Sequence, residues 1–509
     1  MKNCCSALLL LYGLLLLMAA GWPRIAAAQA GPPPSNLVCN QAASANEVVA
    51  QPCLTQLVST SRYAFNGLEI AAAEADDAAY ASLIPVCVSA TATFICTGAK
   101  LNLFNRLLQL ENNADQLLGF GQTRYSLNLT AQDLGFALRW TADEEFAAQS
   151  SLTTRLANNQ VAAVSNRLSV LRFMQTVRLA RRDAWEADGM LADDRSDYGE
   201  VLGGGASADQ ESAQFGKWSA FANGSYGAGT RAPTTYDDAF NFGGTQVSAG
   251  ADVRLSRRTV VGFLVNHLNQ EADFNSSESI AAGGVKSNGW GITVYTQLEW
   301  DAAYLNFSVG GQYLTLDSRR LVAYVSNNPE IPSVNTTFTS STDAKSLLAT
   351  AGGGYVFHAR GFSAEPYLNA NLVHTQIAAF SESADGPDIG LGASVNSQSI
   401  TSLLGIAGLK FEYAFLPSFG VIVPYVYGEF RREFRNPTQN VASQFAPTTA
   451  GQEYFQLPTD DIRPDYYEVG AGISTVLPHG AQLYLQYMKV LQLQYYTDYV
   501  ASAGFRFEF

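Results

Sequence analysis

Apolar and polar side chains alternate from about residue 215 to the C-terminus, the period of two that is typical of β-strands with two different faces. In one segment Trp290, Ile292 and Val294 share one face, whereas Thr293 and Gln297 share the other. Because a soluble sandwich alternates in the same way, the number and length of the segments must decide. Twelve segments of roughly ten residues or more, the length that crosses a bilayer when tilted, favour membrane-spanning strands. They begin near Phe215, Thr245, Thr259, Lys286, Ala303, Asp343, Gly361, Ser397, Gly420, Pro464, Ala481 and Tyr499.

The connections between these segments alternate between short and long. The short ones are tight turns at Ser256–Arg257, Asp301–Ala302, Ala359–Arg360, Pro417–Ser418 and Pro478–His479. The long ones, around Pro233, Ser277, Pro329, Pro387 and Pro447, are rich in turn-forming residues; only the last hairpin, near Thr497, is short. This asymmetry is typical of outer-membrane barrels, in which closure leaves no strand edge exposed to lipid. Residues 215–509 are therefore predicted to form an all-β transmembrane barrel of twelve antiparallel strands.

Aromatic residues support this assignment. An interfacial girdle is expected where strands leave the bilayer, and the short-turn ends carry Trp218, Trp300, Tyr304, Phe357, Phe362 and Phe415. The chain ends on an amphipathic segment in which Phe505, Phe507 and Phe509 share one face. A terminal aromatic on such a strand is what the barrel-assembly machinery recognises in outer-membrane proteins, so these three residues are the candidate assembly signal.

Residues 1–30 have the composition of a secretory signal peptide. Lys2 provides a positive start, residues 7–20 are an almost unbroken apolar run, and Ala28 and Ala30 are the small residues that a signal peptidase reads. That run is too short for a transmembrane helix, and no later stretch reaches the roughly 18 apolar residues that one requires. We therefore expect export through the Sec-type machinery and a mature chain without a membrane helix.

Residues 31–200 have the three- and four-residue periodicity of helices, as at Val164, Leu168 and Leu171. Thr141 followed by Glu144 has the pattern of a capping box and predicts the start of a long helix. Residues 201–214 are predicted to be a flexible, glycine-rich linker. The expected organisation is a mainly α-helical N-terminal region followed by the barrel.

The long helix ends with Arg178, Arg181 and Arg182. One interpretation is that these arginines stabilise the C-terminus of the helix. The other places the helix in the barrel pore, with the arginines against lumenal acids, for which Glu299, Glu365 and Glu468 are the candidates.

Four cysteines remain after signal cleavage, Cys39, Cys53, Cys87 and Cys96, and all lie in the helical region. An even number in an exported chain predicts structural disulfides. Sequence-local pairing, Cys39–Cys53 and Cys87–Cys96, is the simplest of three connectivities. The chain contains no Cys-x-x-Cys motif, so structural disulfides are favoured over redox-active ones.

The barrel half resembles the autotransporter family, the single-chain secretion systems of Gram-negative bacteria. Residues 246–256 with 260–263 are similar to that family's second and third strands, and 365–368 and 423–426 resemble its strand motif of proline before an aromatic. Strand prolines are otherwise confined to edges and bulges. The resemblance covers roughly residues 215–509 and implies a twelve-stranded barrel that brings the preceding segment, the passenger, to the cell surface. Residues 31–205 depart from the commonest passengers, which are long β-helices.

Composition and motif content disfavour several functions. The net charge of −14 argues against nucleic-acid binding, which needs a basic surface. All four histidines, His267, His358, His374 and His479, lie in the barrel half, so the helical region has neither a Ser-His-Asp triad nor a histidine metal site. A barrel-embedded protease using His267 and His374 has no supporting residue pattern. The esterase pattern Gly-Asp-Ser-Leu and phosphate-binding loops are absent. We expect no enzymatic activity, cofactor or metal.

The leading hypothesis is therefore an outer-membrane autotransporter with a monomeric barrel, which presents a short helical passenger at the cell surface for adhesion or interaction. The alternative is a twelve-stranded channel with a periplasmic N-terminal domain. The two hypotheses differ in the side of the membrane on which the segment from Cys39 to Cys96 lies.

Overall fold

The computed structural model describes Cys39 and residues 52–88, 94–142, 145–187, 218–234, 236–256, 258–274, 282–300, 302–359, 361–417, 420–435, 440–448, 455–458, 460, 462–477 and 481–508. In the helix that spans 145–187, side chains are described up to residue 172, apart from 147, 150 and 151. The predicted signal sequence with Ala28 and Ala30, the predicted linker 201–214 and Phe509 lie outside the described residues.

Five α-helices precede the strands within the described part of the chain, and they confirm the predicted helical N-terminal region. They are α1 Leu54–Val58, α2 Gly67–Cys87, α3 Gly98–Leu118, α4 Ala131–Thr141 and α5 Glu145–Ala187. Helix α2 begins with a capping box, because the Asn66 side chain accepts from the Glu69 amide at 2.9 Å and Glu69 accepts from the Asn66 amide at 2.8 Å. None of the described helices is both long and apolar enough to cross a bilayer.

The capping box predicted at Thr141 is wrong. Thr141 is the last residue of α4, and its hydroxyl lies 2.8 Å from the carbonyl oxygen of Leu138 and 3.0 Å from Asp76 Oδ2. The residue therefore closes one helix and ties it to α2, and the long helix α5 begins at Glu145.

Twelve long antiparallel strands follow and form a closed barrel, which confirms the predicted fold class. They are β1 Trp218–Arg231, β2 Phe240–Arg254, β3 Thr259–Phe274, β4 Ala282–Trp300, β5 Ala303–Tyr324, β6 Val334–Tyr355, β7 Phe362–Ile377, β8 Gln398–Tyr413, β9 Val421–Glu433, β10 Asp465–Val476, β11 Gln482–Leu491 and β12 Tyr496–Glu508. Each strand pairs with its neighbours in chain order. The barrel closes between β12 and β1, where Ser219 lies opposite Glu508 and Arg231 opposite Tyr496.

The two faces of the barrel wall follow the predicted alternation. On β4, Trp290, Ile292 and Val294 point outward with 62%, 54% and 53% of their surface exposed, whereas Thr293 points inward and is 3% exposed. Five of the six aromatics expected at the short-turn ends are exposed, namely Trp218, Trp300, Phe357, Phe362 and Phe415.

Tyr304 is the exception, and its assignment to the girdle is wrong. It is 3% exposed and its hydroxyl donates to Glu365 Oε1 at 2.5 Å inside the barrel. The outward row of β5 passes through Leu305 and Phe307, so Tyr304 has the opposite parity.

At the long-loop end the strands continue into a structure that we call the outer platform. Strands β5 and β6 have 22 residues each, about twice the length that crosses a bilayer. Two loops add a second sheet of four short strands, Phe380–Ser381, Ala393–Val395, Asn440–Phe445 and Phe455–Pro458. The platform comprises residues 318–338 of β5, β6 and their connection, this second sheet, and the 3₁₀ turn Ile389–Leu391.

Helices α1–α4, with Cys39, form a unit that we call the cap, and it packs on the platform. Helix α2 contacts Phe455–Pro458, α3 contacts Ile389–Leu391, and α4 contacts β5. Cap residues such as Tyr80 and Phe104 share one buried cluster with platform residues such as Tyr324 and Phe338. The cap therefore lies at the long-loop end of the barrel.

Candidate functional site

Helix α5 runs inside the barrel from the long-loop end to the short-turn end. Near its start, the ring centroid of Phe146 lies 5.1 Å from that of Phe380 in the platform. Midway, Gln160 Nε2 donates to Thr293 Oγ1 at 2.8 Å. Farther on, Arg172 Nε lies 3.0 Å from Glu365 Oε1, close to where β7 begins. The helix therefore occupies the pore along its length.

Three arginines of α5 enter sockets in the barrel wall, each formed by a carboxylate and an aromatic ring. Arg155 donates to Asp498 at 2.5 and 2.9 Å and lies 4.4 Å from the ring centroid of Phe242. Arg167 pairs with Asp252 and lies 4.5 Å from the ring centroid of Phe221. Arg172 pairs with Glu365 and lies 4.2 Å from the ring centroid of Tyr304. A buried charge whose partner is removed remains uncompensated. The sockets, from three different pairs of strands, thus fix the helix in rotation and height.

In the Arg167 socket the carboxylate accepts hydrogen bonds from three different side chains. Asp252 accepts from Arg167 Nε at 2.7 Å, from Ser219 Oγ at 2.5 Å and from the Tyr295 hydroxyl at 2.9 Å. Both charged side chains are almost entirely buried. This network joins α5 to β1, β2 and β4 near the short-turn end.

A glycine allows α5 to approach the wall closely. A Cβ atom at Gly291 would lie 2.4 Å from Gln160 Oε1 and 2.7 Å from Asn266 Oδ1. Real Cβ contacts are longer than this, so any larger residue at this position must displace Gln160. The absence of a side chain therefore seats the middle of the helix against β4.

A cavity of about 140 Å³ remains between the helix and the strands from β7 through β12 to β1. The helix therefore lies off the barrel axis, towards the opposite wall. The cavity is lined by polar side chains that include Asn158, Tyr427 and Glu429. Arg431 lies there with its Nη2 2.6 Å from Glu429 Oε2 and 2.8 Å from Glu468 Oε2. On the side that the helix leaves open, the carboxylates of the barrel wall thus pair with an arginine of the wall itself.

The predicted lumenal acids all lie inside the barrel, but they have different partners. Glu365 pairs with Arg172 of α5, whereas Glu468 pairs with Arg431 and Glu299 lies 3.2 Å from Arg254.

Among the described side chains of α5, the arginines that enter sockets are Arg155, Arg167 and Arg172. Arg178, Arg181 and Arg182 belong to α5, but their side chains lie outside the described residues. A better signal for the pore helix lies earlier in the sequence and was overlooked in favour of the terminal arginines. Between residues 146 and 177 the only charged side chains are Arg155, Arg167 and Arg172.

The structure joins Cys39 to Cys53 and Cys87 to Cys96, the sequence-local pairing that was expected as the simplest connectivity. Asp115 lies beside the first disulfide, with Oδ1 3.7 Å from Cys39 Sγ. These three side chains are close enough for a metal ion, but both sulfurs are bonded to each other. The arrangement therefore fits a disulfide rather than a metal centre.

Two buried carboxyl groups hold the first turn of α1 in the cap. Glu111 Oε2 accepts from the amides of Cys53 at 2.6 Å and Leu54 at 3.2 Å, and Asp77 accepts from Leu54 at 3.1 Å and from Thr55 at 2.8 Å. Burial raises the pKa of Glu111 well above its usual range, and the nearby charge of Asp77 raises it further. The pair therefore binds a proton more tightly in the folded cap than in the unfolded chain.

The histidines considered for a barrel-embedded protease lie on the outward rows of their strands. His267 packs against Trp290, with ring centroids 4.7 Å apart. His374 alternates with the buried Val373 and Thr375 and has Nδ1 2.9 Å from Thr401 Oγ1. His358 lies at a short turn with Nδ1 2.9 Å from Ser363 Oγ, and His479 is outside the described residues.

The candidate assembly signal lies on the last strand, β12. Phe505 and Phe507 point outward and are exposed, while Arg506 points inward and lies 3.0 Å from Glu508. The third member of the set, Phe509, is outside the described residues.

Comparison with known proteins gives a family. Residues 220–488 match the family model of the autotransporter beta-domain. Among solved structures, the fold is similar to the translocator domain of NalP from Neisseria meningitidis (14% identity over 57% of this chain and 88% of that one, TM-score 0.44). It is also similar to the beta domain of the Bordetella autotransporter BrkA (18% identity over 57% of this chain and 98% of that one, TM-score 0.39). A third similar structure is the transport unit of the autotransporter AIDA-I from Escherichia coli (13% identity over 59% of this chain and 93% of that one, TM-score 0.36). A search of curated proteins found no significant match. The chain belongs to the autotransporter family, and its twelve strands form an outer-membrane autotransporter barrel.

Proposed function

We propose that the barrel anchors and exports the helical region and presents the cap at the cell surface, where the cap acts in adhesion or interaction. The position of the cap at the long-loop end supports this proposal. In outer-membrane barrels the long loops are extracellular and the short turns are periplasmic. Helix α5 then connects the two sides through the pore.

The alternative function, a channel with a periplasmic N-terminal domain, requires the cap on the other side. A periplasmic domain would lie at the short-turn end, where α5 comes close to β7 through Arg172 and Glu365. A channel also needs an open lumen, whereas the sockets of Arg155, Arg167 and Arg172 hold a helix in it. Both observations favour presentation over conduction.

Exposed apolar residues beside the second disulfide support a role in interaction. Val86, Phe94 and Ile95 are 47%, 38% and 57% exposed, and the bond between Cys87 and Cys96 holds their segments together. Contiguous exposed apolar surface on a soluble unit commonly marks a contact site. We propose a binding role without catalysis or cofactor, a monomeric barrel, and assembly by the Sec-type and barrel-assembly machineries.

Epitope tags test the surface position. A tag inserted after Gly121, in an exposed loop of the cap, should bind antibody on intact cells. A tag in the short turn predicted at Ser256–Arg257 should bind only after the outer membrane is permeabilised. Protection of the Gly121 tag on intact cells would overturn the proposal and favour the channel.

Attachment assays test the proposed interaction. Replacing Phe94 and Ile95 by serine should lower autoaggregation and attachment of expressing cells to polystyrene. Phe136→Ser is the matched control, because Phe136 is also an exposed aromatic of the cap but lies on α4. Equal loss in both variants would show that general surface apolarity, and not this segment, is responsible.

A further inference from the structure

We infer that the outer platform is a binding site for the cap, and that the two hold together without a covalent connection between them. This inference rests on the proposed surface presentation, since it concerns what happens to the cap once it is there. Four kinds of contact support it: a shared core, a backbone contact, buried ion pairs and main-chain hydrogen bonds.

The hydrophobic core of the cap is completed by the platform. Eight buried platform residues belong to the same cluster as the cap core: Val322, Tyr324, Ile331, Val334, Phe338, Leu391, Phe445 and Phe455. They come from β5, β6, the connection between them, the 3₁₀ turn and the second sheet. Permanent interfaces resemble a domain core cut in half, which is the arrangement here.

Helix α3 touches the backbone of the 3₁₀ turn at Gly390. A Cβ atom there would lie 2.4 Å from the Leu103 nitrogen and 2.5 Å from the Ala99 oxygen. The contact is polar as well, because Asn102 accepts from the Gly390 amide at 2.8 Å and donates to the Pro387 carbonyl at 2.6 Å. The turn therefore fits the start of α3 and has no room for a side chain.

Buried arginine–carboxylate pairs join the cap to two loops of the barrel, one that carries the 3₁₀ turn of the platform and one outside the platform. Arg106 of α3 lies 2.7 Å from Asp388 and Arg139 of α4 pairs with Asp238, and all four side chains are at most 10% exposed. Charge-assisted bonds of this kind add specificity because one misplaced partner leaves a buried charge. The cap is thus held at two separate points, on the loop before β8 and on the loop before β2.

The connection between β5 and β6 forms hydrogen bonds with main-chain carbonyl groups of the cap. The amide of Asn327 donates to the Leu127 carbonyl at 2.9 Å. The side chain of Asn328 donates to the carbonyls of Ser126 at 2.8 Å and Arg124 at 3.1 Å. These contacts do not depend on the link between Ala142 and Glu145, through which the cap continues into α5.

Cutting that link tests the inference. A protease site with flexible glycine–serine flanks is inserted between Ala142 and Glu145, and the protease is added to intact cells. We expect the cut cap to stay with the cells through repeated washing and to co-purify with the barrel in mild detergent, with less than about a tenth released. Release of most of the cut cap into the wash overturns the inference. Cutting that occurs only after permeabilisation overturns the surface position instead, and retention is then measured on the permeabilised membranes.

Variants of the interface separate docking from folding. Gly390→Val should raise the released fraction by about tenfold or more, because dissociation rates are the sensitive quantity in such interfaces. Gly428→Val is the matched control, since a Cβ atom at Gly428 meets no atom within 4 Å. Asn102→Ala, which removes side-chain contacts only, should release an intermediate fraction if Gly390→Val fails to assemble. Release that is equal in all variants and the parent contradicts docking through this surface.

Discussion

Removing one partner of the buried Arg167–Asp252 pair should loosen α5 in the pore. Asp252→Ala leaves Arg167 without its carboxylate and deprives Tyr295 and Ser219 of an acceptor. Breaking a buried pair in this way costs about 3–5 kcal/mol, because the remaining charge is uncompensated. Arg167→Met should cost less, since Asp252 keeps two hydroxyl donors, and the double variant Arg167→Met with Asp252→Ala should recover much of the loss.

The assay is urea unfolding of the detergent-solubilised full chain, followed by heat-modifiable mobility, together with conductance in planar bilayers. Loss of the socket should lower the unfolding midpoint and lengthen open events as the helix leaves the lumen. Arg254→Gln is the control, because the Arg254–Glu299 pair lies within the barrel wall and should affect conductance little. Additive effects of the two single substitutions, with no coupling in a double-mutant cycle, would refute the claim that this pair holds the helix.

Three further predictions concern the cap, the lipid face and assembly. Burial raises the pKa of Glu111 above its ordinary value of 4.5, so the folded cap binds more protons than the unfolded chain. The contribution of Glu111 to the stability of the cap is therefore greatest below pH 4.5 and is lost as the pH rises through the pKa of the folded state. Glu111→Gln should make stability depend less on pH in thermal unfolding measured by circular dichroism, and an unchanged dependence would show that Glu111 does not bind the additional proton. Ile292→Arg should lower the free energy of unfolding by about 2–4 kcal/mol, because Ile292 faces the lipid near the bilayer midplane. Ser502 lines the lumenal cavity, so Ser502→Arg should lower it less, and equal losses in urea titrations would show that the two faces are misassigned. Deleting Phe509 should lower the outer-membrane level of the protein, and unchanged abundance and heat-modifiable mobility would exclude it from the assembly signal.

The barrel was predictable because lipid outside and a polar lumen inside impose a period of two on every strand. The prediction was less accurate where neither environment acts. The start of β6 was placed near Asp343 although the strand begins at Val334, since its outer part lies in the platform and carries threonines on its outward row. Tyr304 was placed in the girdle because it lies at a short-turn end, although its parity directs it inward.

The docking of the cap left little trace in the sequence. Arg106 and Asp388 are 282 residues apart, and neither has a periodic neighbour that marks it as half of a buried pair. Gly390 stands in a loop where glycine is common, so its contact with α3 was invisible without the fold. Alternation alone placed Thr293 on the face opposite Ile292, but it could not show that Thr293 accepts a hydrogen bond from Gln160 of the pore helix. Long-range contacts of this kind depend on the tertiary arrangement and have no local periodicity.

The height of the platform determines which molecules can reach the cap. The outward apolar row of β5 ends near Tyr313, and the strand continues to Tyr324. Eleven residues at about 3.3 Å each, tilted by roughly 40°, rise about 25–30 Å above the hydrocarbon. If the cap lies at the cell surface as proposed, a pedestal of this height keeps it close to the membrane. Long surface glycans would therefore shield it, and its contacts with other cells would vary with the length of the glycans that the bacterium makes.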